Sequence, residues 1–148
     1  MFFAAAQMPC NIHPVYDLVP IATPARVVRV DGKYRASAVL SFHVREVQRA
    51  LIVTVETGVL DHVRGHQLIA SRVARSSGGK VTANGATATQ ARAQLARAIR
   101  TLTADENSEV TREERAYDTV TENGAAQSQA PSYGFPGGQD VQDPACTR

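Results

Sequence analysis

The sequence of 148 residues lacks several features that mark particular classes of protein. No apolar run approaches the roughly 18 residues that a membrane-spanning helix needs, so we expect no membrane span. No block of Lys and Arg is interleaved with aromatic residues, which form only 5% of the chain, so we expect no nucleic acid partner. Because 43% of the residues are hydrophobic, the chain is expected to fold, and its length is enough for one domain and too short for two.

Cysteine is scarce, and Cys10 and Cys146 lie near opposite ends of the chain. Since the ends of single domains often lie close together, we expect a disulfide between them and an oxidising compartment. The N-terminal Phe-Phe-Ala-Ala-Ala resembles the end of a signal peptide that lacks its basic region. These features predict a secreted or periplasmic protein; the alternative is an ordinary flexible N-terminus with two free thiols.

The charges are unevenly distributed along the chain. Residues 1–100 carry 13 Lys and Arg against 5 Asp and Glu, whereas residues 101–148 carry 3 against 9. The simplest explanation is an acidic C-terminal helix that packs on a basic body, and a basic face for nucleic acid is the weaker alternative.

Three segments are predicted from the distribution of proline, glycine and apolar residues. Residues 1–25 form a signal-like, extended N-terminal segment, because four prolines after residue 8 disfavour a helix. Residues 26–124 form the folded domain, and residues 125–148 form an irregular tail. Within the domain, Asp31-Gly32 predicts a hairpin whose second strand extends to Val44, and residues 50–55 predict a third strand.

Three helices are predicted after these strands, so the fold class is α+β with a short antiparallel sheet. The first, Gly58 to Arg75, has His62 and His66 on its inward face. The second opens at Thr87, with Gln90 as its capping-box partner. The buried residues expected on the second helix are Ala91, Leu95, Ala98, Ile99 and Leu102.

The third helix is predicted from Ser108 to Glu122 and ends at Asn123-Gly124. Its inward face is too polar for an ordinary core contact, so a polar group is expected opposite it. This face comprises Val110, Glu113, Glu114, Tyr117, Val120 and Thr121.

The segment His62-Val63-Arg64-Gly65-His66 carries the strongest chemical signal. Two imidazoles one helical turn apart can both bind a tetrahedral Zn²⁺. A metallopeptidase motif also has Glu directly after the first His, to take a proton from the attacking water, and here that position is Val63. The alternative is a pair of core histidines that hydrogen-bond to Asp118 or Tyr117.

A family resemblance extends from this motif. The run from Leu60 to Arg75 resembles the active-site helix Leu-x-His-Glu-x-Gly-His-x-x-Ile-Ala of a bacterial family of secreted zinc-dependent proteases, domain of unknown function 922. The run from Tyr117 to Gly124, with Gln127 after it, is similar to the family's Tyr-Asp-x-x-Thr-x-His-Gly-x-x-Gln. The resemblance spans roughly residues 15–130 and implies a zincin-like fold with a His-x-x-x-His helix.

Two departures from the family pattern affect positions that the family would use for catalysis or metal binding. Val63 stands at the position of the general base, and Asn123 stands where the family has a His that could be a third metal ligand. Glu114 and Asp118 have a spacing that resembles another zincin arrangement. In that arrangement Glu114 would be the third metal ligand, and Asp118, with Tyr117 next to it in the sequence, would orient a metal-binding histidine without contacting the metal.

Other carboxylates leave alternatives open. Glu113, Glu114 or Glu122 could serve as a displaced base, or all three could be solvated charges that pair with the basic body.

The function predicted from the sequence is therefore a secreted or periplasmic member of a zinc-metallopeptidase family, degenerate, with weakly bound zinc and little or no catalysis. One alternative is an active peptidase that uses another carboxylate on a polypeptide substrate. The other is a structural or partner-binding envelope protein.

Overall fold

A computed structural model describes residues 14–48, 57–133 and 138–142. These residues form an α+β fold with a four-stranded antiparallel sheet and two helices. The elements are β1 (Val15–Ala22), β2 (Arg26–Val30), β3 (Lys33–Gln48), α1 (Thr57–Ser76), β4 (Gly79–Gly85) and α2 (Ala88–Val120), followed by short 3-10 segments at Glu122–Gly124 and Gln127–Tyr133. Neither helix is long and apolar enough to cross a bilayer.

The predicted hairpin is confirmed between β2 and β3. Asp31 and Gly32 have φ of 51° and 77°, the left-handed pair of a two-residue turn whose twist suits a hairpin. The strands pair in antiparallel register, with Val28 opposite Arg35. Alternation along β3 buries Ala36, Ala38 and Leu40 on one face.

Two further strands of the sheet, β1 and β4, were not predicted from the sequence. β1 lies in the proline-rich segment, and its Leu18 is buried and exchanges two hydrogen bonds with the Asn107 side chain. β4 follows the glycine pair that ends α1 and pairs antiparallel with β3, with Val81 opposite Ala38. The predicted strand at 50–55, the signal-like start and both cysteines lie outside the described residues.

The helix predicted from Gly58 to Arg75 is confirmed as α1. The second and third predicted helices are instead one continuous helix, α2, of 33 residues, so the prediction of three helices is wrong. The polar stretch around residues 103–108 contains no Gly or Pro to stop a helix. Its Thr103, Asn107 and Ser108 side chains donate to carbonyls one turn back, on the same helix, rather than capping a new one.

The start of α2 matches its prediction. Thr87 Oγ1 accepts a hydrogen bond from Gln90 N, and Gln90 Oε1 accepts one from Ala86 N. Ala91 and Leu95 are buried, whereas Leu102 is 37% exposed and was wrongly assigned to the core.

The chain divides into two compact units. The sheet unit comprises residues 17–45 and 70–112, and the site unit comprises the remaining described residues. In the sheet unit, small apolar side chains from the sheet and α2 pack together around Ala36, Ala38, Ala91 and Leu95. In the site unit, the buried residues include His62, His66, Tyr117, Thr121 and Gln127.

Candidate metal centre

The two histidines of α1 lie on one buried face of the helix. His62 is 0% exposed and His66 is 2% exposed, and their Nε2 atoms are 3.3 Å apart. The ring planes are nearly perpendicular, with centroids 4.9 Å apart. The spacing of four residues thus brings the two nitrogens together, as the sequence predicted.

Asp118 of α2 completes a cluster with them, which we call the His2Asp cluster. Its Oδ1 lies 3.2 Å from His62 Nε2 and 2.8 Å from His66 Nε2. In a tetrahedral zinc site with Zn–N bonds of about 2.0–2.1 Å, neighbouring ligand atoms are roughly 3.3 Å apart. The three atoms therefore form a triangle whose size suits one face of such a site.

Several buried atoms of the cluster make short contacts that are not aligned as hydrogen bonds. Asp118 Oδ1 is buried and close to both rings, yet among the described residues it makes no aligned hydrogen bond. The same holds for His66 Nδ1 and Glu114 Oε1, which are 3.7 Å apart. The three ligand-type atoms converge on one point, as the donors of a shared cation do, and in the metal-free protein the ion pair between Asp118 Oδ1 and His66 Nε2 takes the place of that cation.

Electrostatic coupling within the cluster is strong. Burial lowers the pKa of His66, but the carboxylates of Asp118 and Glu114 outweigh burial and raise it to about 9. Burial also acts to raise the pKa of Asp118, but the short polar contacts and charge interactions with His62 and His66 hold it well below its ordinary value. In the metal-free protein a proton on His66 therefore balances the Asp118 carboxylate.

Each histidine has a different partner on the side away from the cluster. His62 Nδ1 is 2.8 Å from Gln127 Oε1, an amide oxygen that can only accept a hydrogen bond. His66 Nδ1 faces Glu114 Oε1 at 3.7 Å. Outer partners of this kind orient metal-binding histidines.

Tyr117 packs between these groups. Its ring stacks on His62 at an interplanar angle of 12° and meets His66 edge-on at 90°. The approach depends on Gly65, because a Cβ at that position would lie 2.0 Å from the Tyr117 hydroxyl. This explains physically why a glycine separates Arg64 from His66.

A left-handed turn ends α2 beside the cluster. Glu122, Asn123 and Gly124 have φ of 49°, 55° and 103°. A Cβ on Gly124 would come within 2.7 Å of Val141 and 3.3 Å of His62, so only glycine fits there. Val141 N in turn donates to Gly124 O. Gly124 thus packs closely against His62, and Val141 packs against the turn.

The remaining predicted site residues occupy different places. Of the two carboxylates, Asp118 lies with the Nε2 atoms of the histidines, whereas Glu114, the predicted ligand, lies 3.7 Å from His66 Nδ1 on the other side of that ring. Asn123 is half-buried in the turn, where its backbone conformation is one that asparagine tolerates. Val63 is half-buried, Glu113 is half-buried, and Glu122 is exposed.

Gln127 was assigned to an irregular tail, although it is 1% exposed and contacts both His62 and Tyr117. Its position in the family motif was the one sequence signal that could have indicated a role.

Comparisons with known proteins add no further identification. No protein-family model, no curated protein and no solved structure matches this chain.

Proposed function

We propose that this protein binds one zinc ion through His62, His66 and Asp118, on a metallopeptidase-type scaffold that lacks an efficient general base. The observation that carries the proposal is the triangle of Nε2, Nε2 and Oδ1 atoms with sides of 2.8–3.3 Å. Two imidazoles and one carboxylate are a donor set typical of a zinc site that keeps a fourth position open.

The proposed lack of catalysis rests on position 63. Val63 lies three residues before His66, so the two side chains are neighbours on α1, and valine cannot accept a proton. A general base typically contributes about 10²–10⁴ to a rate. The resemblance to secreted zinc-dependent proteases supports a polypeptide as the ancestral substrate and an extracytoplasmic location.

The first test is zinc stoichiometry. Protein prepared without a His-tag, stripped with EDTA and dialysed against a slight excess of zinc should retain one ion per chain, as measured by mass spectrometry of the metal. His66→Ala and Asp118→Asn should each reduce retention to near zero. His43→Ala and Asp105→Asn are matched controls, because both residues are exposed and lie in the sheet unit.

Two results would count against zinc binding at this cluster. One is a wild-type protein that retains no zinc after dialysis, and the other is that Asp118→Asn and Asp105→Asn retain equal amounts of zinc. The first would favour a structural or partner-binding role.

The second test concerns catalysis. We expect no chelator-sensitive cleavage of casein by the wild-type chain and measurable cleavage by Val63→Glu, since glutamate also forms helices at least as well as valine. Because Asp118 can complete the donor set, Asn123→His should add little to this variant. Chelator-sensitive cleavage by the wild-type chain would instead indicate that another carboxylate, such as Glu114 or Glu113, acts as base.

A further inference from the structure

We propose that Gln127 fixes the proton of His62 on Nδ1, and that Tyr117 holds the Gln127 amide in the orientation that does so. The inference assigns positioning roles to two residues outside the proposed ligand set, and its effect on zinc affinity rests on the proposed function.

The three side chains form a closed set of contacts. Gln127 Oε1 is 2.8 Å from His62 Nδ1, and Gln127 Nε2 donates to the Tyr117 hydroxyl oxygen at 2.8 Å. That hydroxyl lies 3.0 Å from the backbone oxygen of His62 and 3.0 Å from Gln127 Oε1, both of which can accept its proton. All three residues are at most 1% exposed, so bulk water does not compete for these groups.

The orientation of the Gln127 amide decides which ring nitrogen of His62 carries the proton. With Oε1 toward His62, the ring must donate from Nδ1, and its Nε2 is left with a lone pair directed at the cluster. With the amide reversed, an N–H group would face Nδ1 and the proton would move to Nε2, which lies 3.3 Å from His66 Nε2 and 3.2 Å from Asp118 Oδ1. A proton there would occupy the position that a metal needs.

Tyr117 selects between the two orientations. When the hydroxyl donates its one proton to the backbone oxygen of His62, its oxygen can only accept, and the group that donates to it is Gln127 Nε2. Gly65 is what allows the hydroxyl to reach this position. The backbone of His62 is thereby linked, through Tyr117 and Gln127, to the tautomer of its own ring.

The direct test compares Gln127→Leu, which removes the acceptor, with Gln127→Glu, which retains an oxygen toward Nδ1. In the zinc-free wild-type protein, NMR should show a one-bond ¹H–¹⁵N correlation for His62 Nδ1 that exchanges slowly with water. Gln127→Leu should lose it and Gln127→Glu should keep it. Gln129→Leu, an exposed residue two positions along the chain, is the matched control and should keep it.

Zinc affinity provides the second readout, measured by competition with a chromophoric chelator. Gln127→Leu should bind about 10–100-fold more weakly, the usual effect of losing an outer partner of a metal-binding histidine. Gln127→Glu should restore most of that affinity. If residue 127 had only a structural role, Gln127→Leu and Gln127→Glu would lose zinc affinity equally. That result would overturn the proposal.

Tyr117→Phe tests the second step and keeps the proposal falsifiable if a Gln127 variant does not fold. Removing one hydroxyl should let the amide reverse and should weaken the His62 Nδ1–H signal, whereas Tyr34→Phe in the sheet unit should not. An absent wild-type Nδ1–H signal, or one that Tyr117→Phe leaves unchanged, would refute the positioning role. A wild-type signal without zinc binding would instead refute the proposed function alone.

Discussion

The sheet unit and the site unit bury different kinds of residue. The core of the sheet unit consists of small apolar side chains such as Ala36, Ala91 and Leu95, which contact one another without specific geometry. The site unit buries His62 and Gln127 at 0–1% exposure, and each needs a partner at a defined distance. Stability in the sheet unit therefore depends on how well side-chain volumes fill the core, and stability in the site unit depends on the pairing of polar atoms.

The largest effect is expected from Leu95→Ala in the sheet unit. Removing this buried side chain should lower the free energy of unfolding by about 2–5 kcal/mol, because a cavity replaces its contacts. Leu102→Ala on the same helix should cost less, since Leu102 is 37% exposed. Urea unfolding measures both values. If Leu102→Ala proves as costly as Leu95→Ala, the core described for this unit is wrong.

The next effect is the pH dependence of the site unit in the metal-free protein. The pKa of His66 is raised to about 9 from 6.5, so its charge stabilises the fold fully below about pH 6.5 and loses that effect as the pH rises through 9. Asp118 contributes to stability with the opposite pH dependence, because its pKa is lowered. Its contribution is present above about pH 4 and is lost as the pH falls further.

Calorimetry in EDTA should therefore show the melting temperature falling between pH 6.5 and 9, and His66→Gln should flatten this fall. His43→Gln, at an exposed position of β3, should leave it unchanged. Zinc binding should change in the reverse direction, because the metal competes with the proton on His66 and gains affinity as the pH rises. A melting temperature that rises over this range would contradict the charge pairing.

The smallest effect is expected at the start of α2. Thr87→Ala removes the side-chain acceptor of Gln90 N and should cost about 1 kcal/mol without changing zinc affinity. Thr89→Ala, at an exposed helical position two residues further, is the control and should change stability little. A loss of zinc affinity in Thr87→Ala would contradict this expectation.

The accuracy of sequence-based prediction followed how local each signal is. The turn at Asp31-Gly32, helix α1 and the cap at Thr87 were all predicted, because neighbouring residues decide them. The break expected between two helices is absent, since Asn107 can either cap a new helix or bond within one, and here it also bonds to Leu18. Only tertiary contacts distinguish those two outcomes.

In the candidate site, too, the local features were predicted and the long-range contacts were not. The spacing of His62 and His66 by itself determined that two imidazoles share one face of a helix, because helical periodicity fixes that geometry. Tertiary structure alone decided that Asp118 and not Glu114 joins them, since both lie on one face of α2 and differ only in their packing against α1. The same is true of Gln127, whose contact with His62 spans 65 residues and depends on the turn after α2.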